Sequence, residues 1–168
     1  MRLLIWPFLV IFLLGLQSTW FKLFNSAQAP DLLLLFVLLY SLDAGEKHGA
    51  ICGFCVGAIQ DVLTFSLFGF HIITRCLVGL VVGASRGSVF KDRPITFVML
   101  VGLTSIVIKV VYTVVLMVFN WEIFNVSTLL VNSGKYLLWN LVCALPVWFI
   151  YNIAKEWLWQ KENPYYHL

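Results

Sequence analysis

The sequence predicts an all-α polytopic membrane protein, a bundle of about six transmembrane helices with both termini in the cytoplasm. Three observations lead there: a composition too apolar for water, apolar runs on every helical face, and a one-sided distribution of basic residues. Of 168 residues, 61% are hydrophobic and 11% charged, with a mean hydropathy of +0.94. An ordinary soluble domain carries about 25% charged residues. In lipid every backbone N–H and C=O must be bonded within the chain, which leaves helices or a closed barrel. Barrel strands alternate apolar and polar positions, whereas Leu3 to Leu16, Leu32 to Leu42 and Ile95 to Phe119 are apolar all round.

Polar punctuation divides the chain into six spans: Leu3 to Thr19, Pro30 to Leu42, His48 to Phe65, Gly69 to Ala84, Pro94 to Phe119 and Gly134 to Asn152. The first could be mistaken for a secretory signal, since Arg2, an apolar stretch and Ala27-Gln28-Ala29 imitate its parts. Trp20 to Phe24 separate the small residues from the apolar run, so it is read as a retained span. The second is short: about 13 residues at 1.5 Å each cover about 20 Å of a roughly 30 Å hydrocarbon core. It is expected to lie shielded by its neighbours or to extend through Asn25 to Ala29, and Pro30 suits a first helical turn. No Gly/Ser linker or long loop leaves room for a second folded domain, so residues 1–168 are read as one membrane domain.

Orientation comes from Lys and Arg in the short loops. Arg2, Lys47, Arg86, Lys91, Arg93, Lys155 and Lys161 fall on one side, Lys22 and Lys135 on the other, which assigns the first side to the cytoplasm. The loops around Lys22, Ser66 and Glu122 then face outward, and Trp20, Trp121, Trp157 and Trp159 fall near headgroup level. The formal charge of +3 and the scattered basic residues do not form a nucleic-acid footprint.

The stretch from Gly49 to Gly87 has a four-residue rhythm of small and charged residues. Gly49, Gly53, Gly57 and Asp61 make one stripe; His71, Arg75, Gly79, Gly83 and Gly87 make the matching one. Small residues at this spacing let helix backbones approach closely, and in lipid such packing substitutes for hydrophobic burial. A hairpin folded about Ser66 would set Gly53 opposite Gly79 and Gly49 opposite Gly83, bringing Asp61 near His71 and Arg75. An unpaired charge at the bilayer centre costs roughly 2.5 to 3.5 kcal/mol. An Asp61–Arg75 ion pair with His71 as secondary partner is therefore expected, as a structural clamp or a ligand or proton site.

Lys109 interrupts the apolar run Ile106 to Val111. It would snorkel, pair with Asp61 or meet an acid from another protein. In the last span Asn132, Lys135 and Asn140 give a polar edge, followed by a kink at Pro146; such residues ordinarily join helices inside a bundle. Catalysis and metal binding find no support. Cys52-Gly-Phe-Cys55 has redox spacing but sits inside an apolar helix, and with Cys76 and Cys143 it reads as small core filling. His48, His71 and His167 lack ligand spacing, and no cofactor-binding motif is present.

Several features coincide: Pro30-Asp31 opening a Leu-rich span that ends Leu39-Tyr40, the polar link Asp43 to His48, the run Gly53-Phe-Cys-Val-Gly57-Ala-Ile-Gln-Asp61, and Gly69 with its following helix. In this order the chain resembles the MreD family of bacterial rod-shape-determining proteins. The resemblance implies a multi-pass subunit of the bacterial inner membrane without catalytic activity. It implies association with an MreC-like bitopic protein and, through it, coupling of MreB filaments to a SEDS glycosyltransferase and a class B penicillin-binding protein. The architecture is also similar to the six-helix substrate-binding subunits of energy-coupling-factor vitamin transporters, a rival reading. Those subunits carry Ala-x-x-x-Ala on the first helix, where this chain offers only Gly15 among bulky residues.

Overall fold

A backbone that cannot bond to its solvent coils on itself, and the computed structural model is helical throughout its elements. It describes residues 2–23, 29–64, 69–87, 94–119 and 126–162. Six α-helices follow in order: α1 (Arg2–Leu23), α2 (Leu32–Ala44), α3 (Glu46–Thr64), α4 (Phe70–Ala84, continued by a short 3-10 turn, Ser85–Gly87), α5 (Pro94–Phe119) and α6 (Val126–Glu162). The side chains of Arg2, Trp20, Lys22, Trp159 and Lys161, and all of Asn25, Ser66, Lys91, Arg93, Trp121, Glu122 and His167, lie outside the described part.

The shortest helix is the centre. α2 packs against all five others, and every residue from Leu32 to Leu39 is buried. Its 13 residues rise about 20 Å, and of the two expected arrangements it takes the shielded one; the helix starts at Leu32 with Asp31 as N-cap, so Pro30 precedes the first turn instead of opening it. At its foot Gly45 adopts a positive φ of 86°, where its N–H donates to the Ser41 carbonyl (2.9 Å) and the chain turns straight into α3.

α3 and α4 form the closest pair. A Cβ added at Gly49 would lie 2.6 Å from the Gly79 carbonyl oxygen and from Ser41 Oγ; at Gly57 it would lie 2.5 Å from the His71 carbonyl oxygen. Gly53 abuts the Arg75 backbone, Gly79 abuts Gly49, and Gly83 abuts Gly45 and Glu46. Close glycine contact is therefore real, but the register is one helical turn away from the expected one. Gly79 faces Gly49 rather than Gly53, and Gly83 faces the start of α3 rather than Gly49. Gly87 lies beyond the stripe, with open space around it. The cause is Asp61, which grips the first turn of α4 and so sets the hairpin from its capping geometry.

α5 and α6 make a second hairpin on the other side of α2. α5 begins and ends where the polar boundary placed it. α6 runs well past the expected Gly134 to Asn152, because helical hydrogen bonding continues through Asn132 and Ser133, through Pro146 and on past Lys155. These two helices are long and apolar enough to cross a membrane, over Pro94–Val118 and Ser127–Trp157. On α5 the exposed stripe is Ile95, Met99, Leu103, Val107, Val110, Val114 and Val118. A continuous apolar face of that length suits lipid and would drive aggregation in water.

At one end Trp6 stacks on Tyr151 (5.1 Å between centroids) and meets Tyr40 and Phe36 edge-on or tilted. Beside it Asp43 accepts hydrogen bonds from Tyr151 Oη (3.1 Å) and Lys155 Nζ (2.8 Å), tying the foot of α2 to α6. Gly45 lies next to Arg86. Lys47, Arg86 and Lys155 thus gather at one end, while Lys135, 20 residues up α6 from Lys155, stands about 30 Å away.

Candidate functional site

The buried polar residues concentrate at the opposite end of α2, where four helices meet. Asp31 precedes the Leu run as its N-cap, and its Oδ1 accepts from Leu34 N–H (3.0 Å), satisfying one of the orphan donors of a helix start. The same oxygen accepts from Arg75 Nη2 of α4 at 2.5 Å. The Asp31 backbone N–H donates to Asn140 Oδ1 of α6 (2.7 Å), and Asn140 Nδ2 donates to Ser105 Oγ of α5 (3.0 Å). Arg75 is 1% exposed, and Ser105 and Asn140 are fully enclosed. Ion pair, amide and hydroxyl form one chain of contacts through α4, α2, α6 and α5.

Arg75 is therefore paired, but with Asp31 instead of Asp61. Asp61, 2% exposed, is already committed: Oδ2 accepts from Gly69 N–H (2.9 Å) and Ile72 N–H (3.1 Å), and Oδ1 from His71 N–H (3.1 Å). Three donors at the start of α4, together with the positive end of its helix dipole, neutralise the carboxylate without a cation. Gly69 makes this cap possible with a φ of 93°, in the left-handed region. The expected Asp61–Arg75 clamp becomes two devices, a helix cap and an α2–α4 ion pair.

His71 sits edge-on to Phe70, whose ring meets Tyr112 of α5 (5.3 Å), the aromatic contact that joins the two hairpins at this end. Lys109 extends along the same side of α5, its Nζ 4.2 Å from the Tyr136 centroid and 5.5 Å from that of Tyr112. A cation over a ring face is attracted by the aromatic quadrupole, which explains how an ammonium is held here. The Asp31 carboxylate lies within its electrostatic reach.

The structure thus brings Arg75, His71, Lys109 and Asn140 together, joins Asp61 to Gly69, and uses Gly49, Gly53, Gly57, Gly79 and Gly83 as packing surface. Ser105 and Tyr136 were not singled out from sequence, and Asp31 and Asp43 were named only as landmarks of the family resemblance, without a role. The available signal for Asp31 was an acid at the cap of an otherwise wholly apolar helix. Among the described residues no group of three or more His, Cys, Asp or Glu is placed to hold a metal ion, and the four cysteines are free.

Exposed apolar helix faces around a polar-locked interior, with two helices long and apolar enough to cross a bilayer, fit a membrane protein of the all-helical class. Within that class the chain belongs to the MreD family: the family model for rod shape-determining protein MreD matches residues 1–154. It is accordingly a rod-shape-determining protein of the bacterial inner membrane. No curated protein and no solved structure matches it.

Proposed function

We propose that the chain is a six-span, non-catalytic subunit of the cell-elongation complex, with both termini cytoplasmic, that binds an MreC-like bitopic protein. Through that partner it helps couple MreB filaments to peptidoglycan synthesis by a SEDS glycosyltransferase and a class B penicillin-binding protein. The observation that carries this reading is the family match over residues 1–154. The exposed apolar stripe of α5 adds support, because a single partner helix can lie along such a face within the bilayer. The basic end formed by Lys47, Arg86 and Lys155 agrees with a cytoplasmic placement of that end.

The rival role, a vitamin-binding subunit, needs a chamber. The crevice bounded by Leu39, Leu42, Asp43, Trp148, Tyr151, Asn152 and Lys155 holds about 20 Å³, room for one water, so that crevice is not such a chamber. Detergent extraction followed by affinity purification tests the proposal directly. A stable complex with an MreC-like bitopic protein, and rounding of rod cells on depletion, are the expected results; co-purification of an ATPase module with a bound vitamin would overturn it.

A further inference from the structure

We propose that the crevice between α2 and α6 is a lipid subsite, which takes one hydroxyl of a polyol headgroup while an acyl chain lies along the outer face of α6. At about 20 Å³ the crevice admits a single oxygen atom. Its polar lining is Asp43, which accepts from Tyr151 Oη and Lys155 Nζ, together with Asn152. Asn152 Nδ2 is enclosed and meets no acceptor among the described residues, although buried amide donors ordinarily find one. A turn of that amide about its Cβ–Cγ bond presents the donor to the crevice. An oxygen seated there would accept from Asn152 and from Lys155, whose ammonium carries three donors, with the Asp43 carboxylate beside it as acceptor. The group that accepts on one side and donates on the other is a hydroxyl. Charge gives the same answer: Asp43 and Lys155 cancel, so the lining offers a phosphate oxyanion no net attraction.

Depth and surroundings make a lipid the carrier of that hydroxyl. The apolar stretch Ser127–Trp157 rises about 46 Å against a hydrocarbon core of about 30 Å, so when centred in a bilayer it reaches about 8 Å into the headgroups at each end. Asn152 and Lys155 stand about 8 and 3 Å from Trp157 along the axis, which puts the crevice at headgroup level. One turn deeper Phe149 is exposed, and a further turn down so is Leu145, an apolar track that begins beside Asn152. A hydroxyl tethered to a chain on that track is presented at high local concentration, which lets it compete with water. The inference holds whichever protein partner the subunit binds.

The full chain in nanodiscs provides the test, with bound lipid counted by native mass spectrometry. Phosphatidylglycerol, whose headgroup ends in free hydroxyls, is set against phosphatidylmethanol, which has the same charge and no hydroxyl. Retention of phosphatidylglycerol about tenfold above phosphatidylmethanol is expected, equivalent to about 1.4 kcal/mol, and it should fall to parity in Asn152→Leu. Lys155→Met keeps α2 and α6 joined through Tyr151 Oη, so it is the second variant and should lower the preference in the same assay. Equal retention of the two lipids by the wild type, or a preference that Asn152→Leu leaves unchanged, would overturn the proposal and assign the crevice to water.

Discussion

Replacing Arg75 by leucine removes the cation while leaving the Asp31 carboxylate buried at the head of α2. Breaking a buried pair from one side costs about 3 to 5 kcal/mol. The structure places the cost in that range, because Asp31 keeps one neutral donor, Leu34 N–H, while losing its charged one. At about 1.4 kcal/mol per factor of ten, 3 kcal/mol lowers the folded-to-unfolded ratio by about two orders of magnitude. Asp31→Asn alone keeps an acceptor for Leu34 but strands the guanidinium, with a comparable loss. The double variant Asp31→Asn/Arg75→Leu removes both charges, so it should recover about 2 kcal/mol relative to the sum of the singles. The assay is reversible unfolding in mixed detergent micelles, following helicity across the four-protein cycle. Additive losses for Asp31 and Arg75, together with coupling between Asp61 and Arg75, would refute the assigned pairing.

Gly53→Leu should separate α3 from α4, since even a Cβ collides with the Arg75 backbone; a loss of about 3 kcal/mol is expected, whereas Gly87→Ala, in open space, should cost under about 0.5 kcal/mol. Unfolding of the two variants side by side checks this. Gly69→Ala should cost about 1 to 2 kcal/mol through its positive φ alone, because no atom lies within 4 Å of the added Cβ, and Gly69→Asn should recover part of that loss in the same measurement. Asn140→Leu leaves the Asp31 N–H and Ser105 without their partner and should destabilise by about 1 to 3 kcal/mol, with earlier hydrogen exchange at the start of α2. Lys155→Met should change stability by less than about 1 kcal/mol, since Lys155 is 44% exposed and its pair with Asp43 is screened by water.

Local chemistry was legible wherever a residue's role depends on its immediate neighbours. Pro94 marked the start of α5, and the shortness of the Leu32 to Leu42 run called for either wrapping by neighbours or extension through Asn25 to Ala29, of which the structure shows the wrapping. The four-residue glycine rhythm announced the α3–α4 contact because helical spacing alone places those positions on one face. Register was another matter: a shift of one turn preserves the same stripe, and only the Asp61 cap distinguishes the alternatives. The Asp31–Arg75 pair bridges 44 residues and depends on where α2 is inserted between hairpins, which no periodicity encodes. The length of α6 was underestimated because Asn132 and Ser133 at one end and Asn152 and Lys155 at the other were read as boundaries, whereas helical hydrogen bonding runs through them.

The central position of α2 also bears on biogenesis. Asp31 leaves the ribosome 44 residues ahead of Arg75 and 109 ahead of Asn140. At about 5 to 20 residues per second, these intervals last roughly 2 to 9 s and 5 to 22 s respectively. Throughout that wait the Leu run of α2 can rest in lipid, but the Asp31 carboxylate must be met by the insertion machinery or by headgroup water. The hydrophobic axis of the finished molecule is one of the first segments synthesised and one of the last to be enclosed.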